Sequence, residues 1–181
     1  MSSSSNPASQ AMQNAAAYVK LLMDLLGDRD PFTVQEELLA ALEKEIAGVD
    51  EAILRRHEKP GKWSILQVLQ HLADSELVVR YRMRLALAQP GAQILGYDQD
   101  LWANGLNYND ADPAETLEFL GVLRKANLKM LRTLNDEQMA RYGLHNERGR
   151  ESVRKMMQMA AGHDLLHRNQ IKRIKRAHGI E

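Results

Sequence analysis

Apolar residues recur at intervals of three and four along most of this chain, the spacing that lines one face of a helix. Met12, Ala15, Val19, Leu22, Met23 and Leu26 predict a first amphipathic helix over about residues 8–26, with Gly27 where a C-cap belongs. Asp28 to Phe32 reads as a turn. Thr33 with Glu36 three residues later reads as a capping box, opening a second helix that runs to about Ala47 and resumes after Gly48 towards Arg56. Glu58 to Lys62 is a loop. Ser64 and Gln67 form a second capping box, with Trp63 in the staple position before it; that helix should reach about Gln89, since a proline at 90 disfavours helix in the residue before it. Asp112–Pro113 is an N-cap followed by proline at the first helical position, and Thr116, Leu120, Leu123, Asn127, Leu131 and Leu134 continue on one face. Asn135 to Gln138 starts a short helical turn. A last helix runs from about Ser152 to Ala177 and ends at Gly179.

Between these segments the pattern breaks. Met1 to Pro7 is Ser-rich and predicts a disordered tail. Pro90 to Asp112 is the longest stretch without periodicity, and loops of that length in a compact domain often carry function. Tyr142 to Arg150 is polar with two glycines, a loop or a small hairpin. No convincing strand and no fixed repeat is found. The expected architecture is all-α: one domain over residues 8–181, an antiparallel four-helix bundle with an extra N-terminal helix and a long loop between the second and third bundle helices.

Composition narrows the function. Of 181 residues 44% are hydrophobic and 27% charged, ordinary for a globular protein. Lys plus Arg and Asp plus Glu each count 24, so there is no basic excess of the kind nucleic-acid binding uses, and no nucleic acid or membrane partner is expected. The cations at Lys172, Arg173, Lys175 and Arg176 complement a helix C-terminus. The absence of cysteine excludes disulfides, thiolate metal sites and cysteine nucleophiles. No charged leader and no membrane-length apolar run stands out, and a cytoplasmic protein is the expectation.

The chemistry-bearing residues are histidines. His163 and His167 lie one helical turn apart, so both imidazoles can face one ion; paired core or surface histidines are the alternative. His71 lies two turns into the helix that Ser64 caps, and an antiparallel bundle could bring it opposite the pair. Asp164 stands where a zinc protease needs glutamate, and only His167 has an acid three residues before it, against the two Glu-x-x-His elements of a di-iron bundle. One mononuclear site fits better than either.

Taken together, Lys62-Trp63-Ser64, His71-Leu72-Ala73-Asp74-Ser75-Glu76 and Gly162-His163 through His167, with Gln170-Ile171, resemble the DinB/YfiT-like superfamily, a bacterial-type group, over roughly Asp30 to Ile174. The resemblance implies a four-helix bundle with a metal at one end, held by three histidines that correspond here to His71, His163 and His167. It also implies an enzyme that uses one divalent ion (zinc, nickel or iron) to activate water for hydrolysis or a low-molecular-weight thiol for S-transfer to a small-molecule substrate. With no cysteine in the chain, such a thiol must be a cosubstrate. A non-catalytic metal-binding stress-response module is the competing expectation.

Further candidates surround this set. Tyr97 and Asp98 lie in the long loop that could fold over an open metal position, and Tyr108 could offer a phenol to substrate. Arg124 could clamp a substrate anion, although a solvated arginine is the plainer reading. His145 and Glu147 could act as general base or orient a ligand, and so could Asp164; Asp74 is an equal candidate partner for His71. The apolar face of the first helix could cap the bundle or join two copies in a homodimer.

Overall fold

The computed structural model describes residues 7–180, so the Ser-rich segment before Pro7 lies outside the described residues. In chain order the elements are α1 (Pro7–Leu26), α2 (Pro31–Ile46), α3 (Glu51–Leu54), α4 (Ile65–Ala88), β1 (Gln93–Ile94), α5 (Gln99–Gly105), a 3-10 turn (Tyr108–Asp110), α6 (Pro113–Leu131), α7 (Asp136–Ala140), β2 (Tyr142–His145), β3 (Gly149–Ser152) and α8 (Val153–Ala177). Four long helices make the bundle. Around its axis they stand in the order α2, α6, α4, α8, so the sequence neighbours α2 and α4 lie on a diagonal and α4 packs directly on α8. Leu38 and Leu42, Leu69 and Leu72, Leu120, and Ile171 fill the space between the four. Each such fully buried side chain contributes on the order of 2 kcal/mol by leaving water.

The caps show where sequence pattern and structure part. Ser64 and Gln67 form the expected reciprocal box: Gln67 N donates to Ser64 Oγ at 3.1 Å and Ser64 N to Gln67 Oε1 at 2.9 Å. The box expected at Thr33 and Glu36 does not form. Helix α2 begins two residues earlier, at Pro31, because the Asp30 carboxylate accepts from both Thr33 N (2.9 Å) and Thr33 Oγ1 (2.8 Å). A carboxylate cap before a proline outcompetes the later hydroxyl.

The extra helix α1 lies outside the ring, against α8. The contact is close enough that a Cβ at Gly162 would sit 2.1 Å from the Leu22 carbonyl oxygen, so only glycine lets α1 settle beside His163. The expectation of no strand is corrected by a three-stranded sheet, β1-β2-β3, with β1 parallel to β2 and β2 antiparallel to β3. Its strands are too short to show a period of two, and β1 pairs with a partner some fifty residues away. Gly143 admits the Ile94 side chain, which a Cβ there would meet at 2.1 Å. This pairing anchors the start of the long α4–α6 connection, so that Tyr97 and Asp98 are delivered over the end of the bundle. None of the described helices is long and apolar enough to cross a membrane.

Candidate metal centre

The α4–α8 contact brings His71 across from His163 and His167. One nitrogen from each ring lies within 4.8 Å of the others. The contacts run through Nε2: 3.1 Å from His71 to His163 and 3.0 Å from His163 to His167. These separations are close to the ~3.3 Å between two nitrogens of a tetrahedral zinc site. His167 Nδ1–H donates to Gln170 Oε1 at 2.7 Å, which leaves its Nε2 lone pair free. Burial holds His71 and His163 well below the usual imidazole range, helped by the neighbouring rings, and brings His167 down to about 4. Near neutral pH all three are therefore neutral imidazoles whose Nε2 atoms converge on one point. That donor set fits a single divalent ion, with nitrogen ligands that suit zinc, nickel or iron.

Above the histidines opens a cavity of about 450 Å³, lined by His71 and His163 at one end. Behind the lining Trp63 packs on His71, ring centroids 4.9 Å apart, and its Nε1 donates to Asp100 Oδ1 at 3.0 Å, tying α5 to the start of α4. Tyr97 stands inside the cavity. Its hydroxyl lies 3.0 Å from Ser75 Oγ, which in turn lies 3.3 Å from His71 Nε2. Burial raises the Tyr97 phenol, so it keeps its proton. Trp102 packs on Tyr97 with centroids 4.5 Å apart. Asp98 lines the cavity mouth but spends one carboxylate oxygen capping α5, through Asp100 N and Leu101 N. Glu147 lines the opposite rim, next to Gly96.

Several expected site residues are engaged elsewhere. Arg124 is not solvated: it is 6% exposed and held by Glu76 Oε2 at 2.9 Å, Asp164 at 2.7 and 3.1 Å, and the Gln35 carbonyl at 3.1 Å. Asp164 faces this guanidinium, away from the three imidazoles. Two carboxylates share one cation, and burial pushes Asp164 up to about 6 despite the pull of Arg124. Tyr108 is buried and donates to Asp74 Oδ2 at 2.6 Å, so its phenol does not face the cavity and Asp74 does not reach His71. His145 is buried in the hairpin, its Nδ1 accepting from Glu147 N at 3.2 Å, and burial lowers it to about 4. The sequence reading missed Ser75, Arg82 and Arg148, all on the cavity wall. A signal for two of them was present: Ser75 and Arg82 follow His71 by four and eleven residues, on the same face of α4.

Comparison with known proteins agrees with this architecture. The DinB superfamily model matches residues 35–171, most of the chain. The chain belongs to the DinB superfamily. All three converging histidines and the Ser64 cap fall inside the match. Among curated relatives, "Putative metal-dependent hydrolase YfiT" of Bacillus subtilis is 32% identical over 112 residues, covering 62% of this chain and 63% of that one. A protein of Oceanobacillus iheyensis, also named a "Putative metal-dependent hydrolase", is 31% identical over 133 residues, covering 73% and 76%. The solved structure of Bacillus subtilis YfiT, described as having "an unusual four-helix bundle topology", superposes with a TM-score of 0.75 at 22% identity, covering 100% of this chain and 94% of that chain. In this chain the diagonal placement of α2 and α4 departs from a simple up-and-down bundle.

Proposed function

We propose that the protein is a mononuclear metalloenzyme of hydrolase type, holding one divalent ion (zinc, nickel or iron) on His71, His163 and His167. The nucleophile is water or a low-molecular-weight thiol cosubstrate, and the partner is a small molecule. The observation that carries this reading is the convergence of three neutral imidazoles, two of which line a cavity of substrate size. A divalent ion there would lower the pKa of a coordinated water or thiol. The residues of the chain supply the rest. Gln170 orients His167, and Trp63 with the tethered α5 keeps bulk water from the imidazoles. Tyr97, protonated and next to Ser75, can donate a hydrogen bond to a substrate oxygen beside His71. Glu147 lines the same cavity on the side of Arg82; Asp164 and His145 act as positioning residues for α8 and the hairpin. The cytoplasm, where small thiols stay reduced, is the compartment this chemistry asks for. A non-catalytic metal module is the weaker reading, because such a module has no use for a cavity that reaches its ligands.

Elemental analysis of untagged protein tests the reading. About one metal per chain is expected in the wild type and none in His163→Ala. The loaded protein should then turn over in a screen of hydrolysis and thiol transfer. No metal after reconstitution with zinc, nickel or iron would sink the proposal.

A further inference from the structure

Three arginines line the cavity, and two have their charge answered. Arg124 holds Glu76 and Asp164, and Arg148 grips Glu151 through both guanidinium arms at 2.7 and 3.0 Å. Arg82 is different. It is 8% exposed, yet among the described residues no carboxylate lies within 4.0 Å of it. Its side-chain hydrogen bond goes from Nη2 to the Leu95 carbonyl, and its guanidinium stands 5.9 Å from the Tyr97 ring. A guanidinium has five N–H donors, so this cavity-lining one keeps donors beyond its bond to Leu95. Glu151 and Glu147 act on it only at longer range, and the Arg148 cation opposes it. A buried cation without a directly paired carboxylate is costly, and an anion entering the cavity would offset that cost.

We propose that Arg82 is the anchor for a carboxylate on the substrate, fixing the end of the molecule remote from the histidines. Length and charge both follow from the wall. Eleven residues of α4 separate His71 from Arg82, about 16 Å along the axis, and the arginine side chain leans back towards the helix N-terminus, leaving a span on the order of 10 Å. The substrate is therefore an elongated monoanion with its reacting group that far from its acid. A planar carboxylate matches the guanidinium fork. A dianionic phosphate fits less well, because Glu147 and Asp98 on the rim answer its second charge with repulsion and only one cation is unpaired. Tyr97 lies between the two ends, its hydroxyl towards Ser75 and its ring beside Arg82, so an anion on Arg82 also packs against the residue next to the histidines.

The inference rests on the histidine end being the reactive end, but its test does not need metal. Octanoate, octanamide and octyl phosphate have suitable length and differ in charge. The chain's two tryptophans pack on residues of the cavity wall, Trp63 on His71 and Trp102 on Tyr97, and report a ligand there. Fluorescence titration of the wild-type protein should show octanoate binding at least about ten-fold more tightly than octanamide, and more tightly than octyl phosphate, which is the loss expected when a charge-assisted pair becomes neutral. Arg82→Gln should bring the acid-to-amide ratio to about one, and Arg82→Lys, which keeps charge but not the fork, should retain part of it. His163→Ala should lose metal but keep the ratio, so failure of the metal reading and failure of the anion reading are told apart. Equal binding of acid and amide by the wild type, no binding of either, tighter binding of the phosphate, or a ratio unchanged in both Arg82 variants would each overturn the proposal.

Discussion

Two polar clusters are buried side by side between α4 and α8, and they solve burial in opposite ways. One contains His71, His163 and His167: three neutral rings, no carboxylate in contact, and Nε2 atoms gathered at a common point. The other contains Glu76, Arg124 and Asp164: three charges, with the Arg124 guanidinium spanning both carboxylates. Asp164 is the next residue after His163, so a rotation of about 100° around α8 separates the two environments. The charged cluster pairs within itself, with Glu76 Oε1 left without a partner, and locks α6 to α4 and α8. The neutral cluster opens on a cavity and has bonding capacity to spare. Neutral imidazoles gathered beside a cavity point to a ligand; buried ions paired with one another point to the frame that holds it.

The largest expected effect comes from breaking the closed cluster. Arg124→Met removes the cation and leaves two carboxylates buried, which should cost about 3–5 kcal/mol in urea unfolding of the metal-free protein. Adding Glu76→Gln and Asp164→Asn to that variant should recover much of the loss, since neutral amides carry no stranded charge. Zinc at one hundred times its dissociation constant should add about 2.7 kcal/mol to wild type and to every variant that folds. If the zinc gain disappears with Arg124, the two clusters are one, and the division between frame and site fails.

A smaller effect comes from a buried histidine outside both clusters. His145 is 3% exposed and its folded pKa of about 4 lies below the ~6.5 of an unfolded histidine. Between these values the unfolded chain takes up a proton that the folded chain refuses. The stability is therefore complete above pH 6.5 and is lost as pH falls towards 4, by about 3 kcal/mol for this residue. His145→Asn keeps an acceptor for Glu147 N and removes the titration. Its stability should fall less steeply than the wild type's between pH 6.5 and 4.5, by about one proton per chain, in urea melts across that window. Parallel curves would mean that His145 is protonated in the fold and faces a charge the structure does not place there.

The bundle and the three histidines were legible in the sequence for different reasons. Helices of sixteen residues or more carry several turns of a period near 3.6, so α2, α4, α6 and α8 announce themselves. The histidine pair is local, and His71 joins it through family resemblance as well as its place on a capped helix. What lay hidden depends on non-local geometry. Nothing near Arg124 in the chain tells that Glu76 and Asp164 will converge on it, and its solvated reading failed for that reason. The strand at Gln93–Ile94 exists only because β2 lies beside it. Asp30 displaced Thr33 as the cap because two good N-cap residues stood three apart, and propensity alone does not rank them in context. Arg82 could be placed on the face of His71 by spacing, but its lack of a partner is a fact about every other element around it.

The finest test of the comparison is Gln170, which touches the open cluster without belonging to it. Its Oε1 accepts from His167 Nδ1 at 2.7 Å and so fixes which nitrogen keeps the proton. Gln170→Leu removes that acceptor while keeping similar bulk on a half-buried position. His167 can then carry its proton on Nε2 in a share of molecules, and each such molecule has one lone pair fewer for the ion. Zinc affinity should drop by about ten-fold, the lower end of what a lost ligand-orienting bond costs in metal sites. The metal-free protein should change by no more than about 1 kcal/mol, since a single partly exposed hydrogen bond contributes no more than that. Gln170→Glu, which accepts the same hydrogen bond with a full charge, should bind zinc at least as tightly as wild type. Competition against a zinc-chelating dye reads the affinities, and urea unfolding reads the stability. A Leu variant that loses stability but not affinity would place Gln170 in the frame rather than at the site, and would move the boundary between the two clusters one turn further along α8.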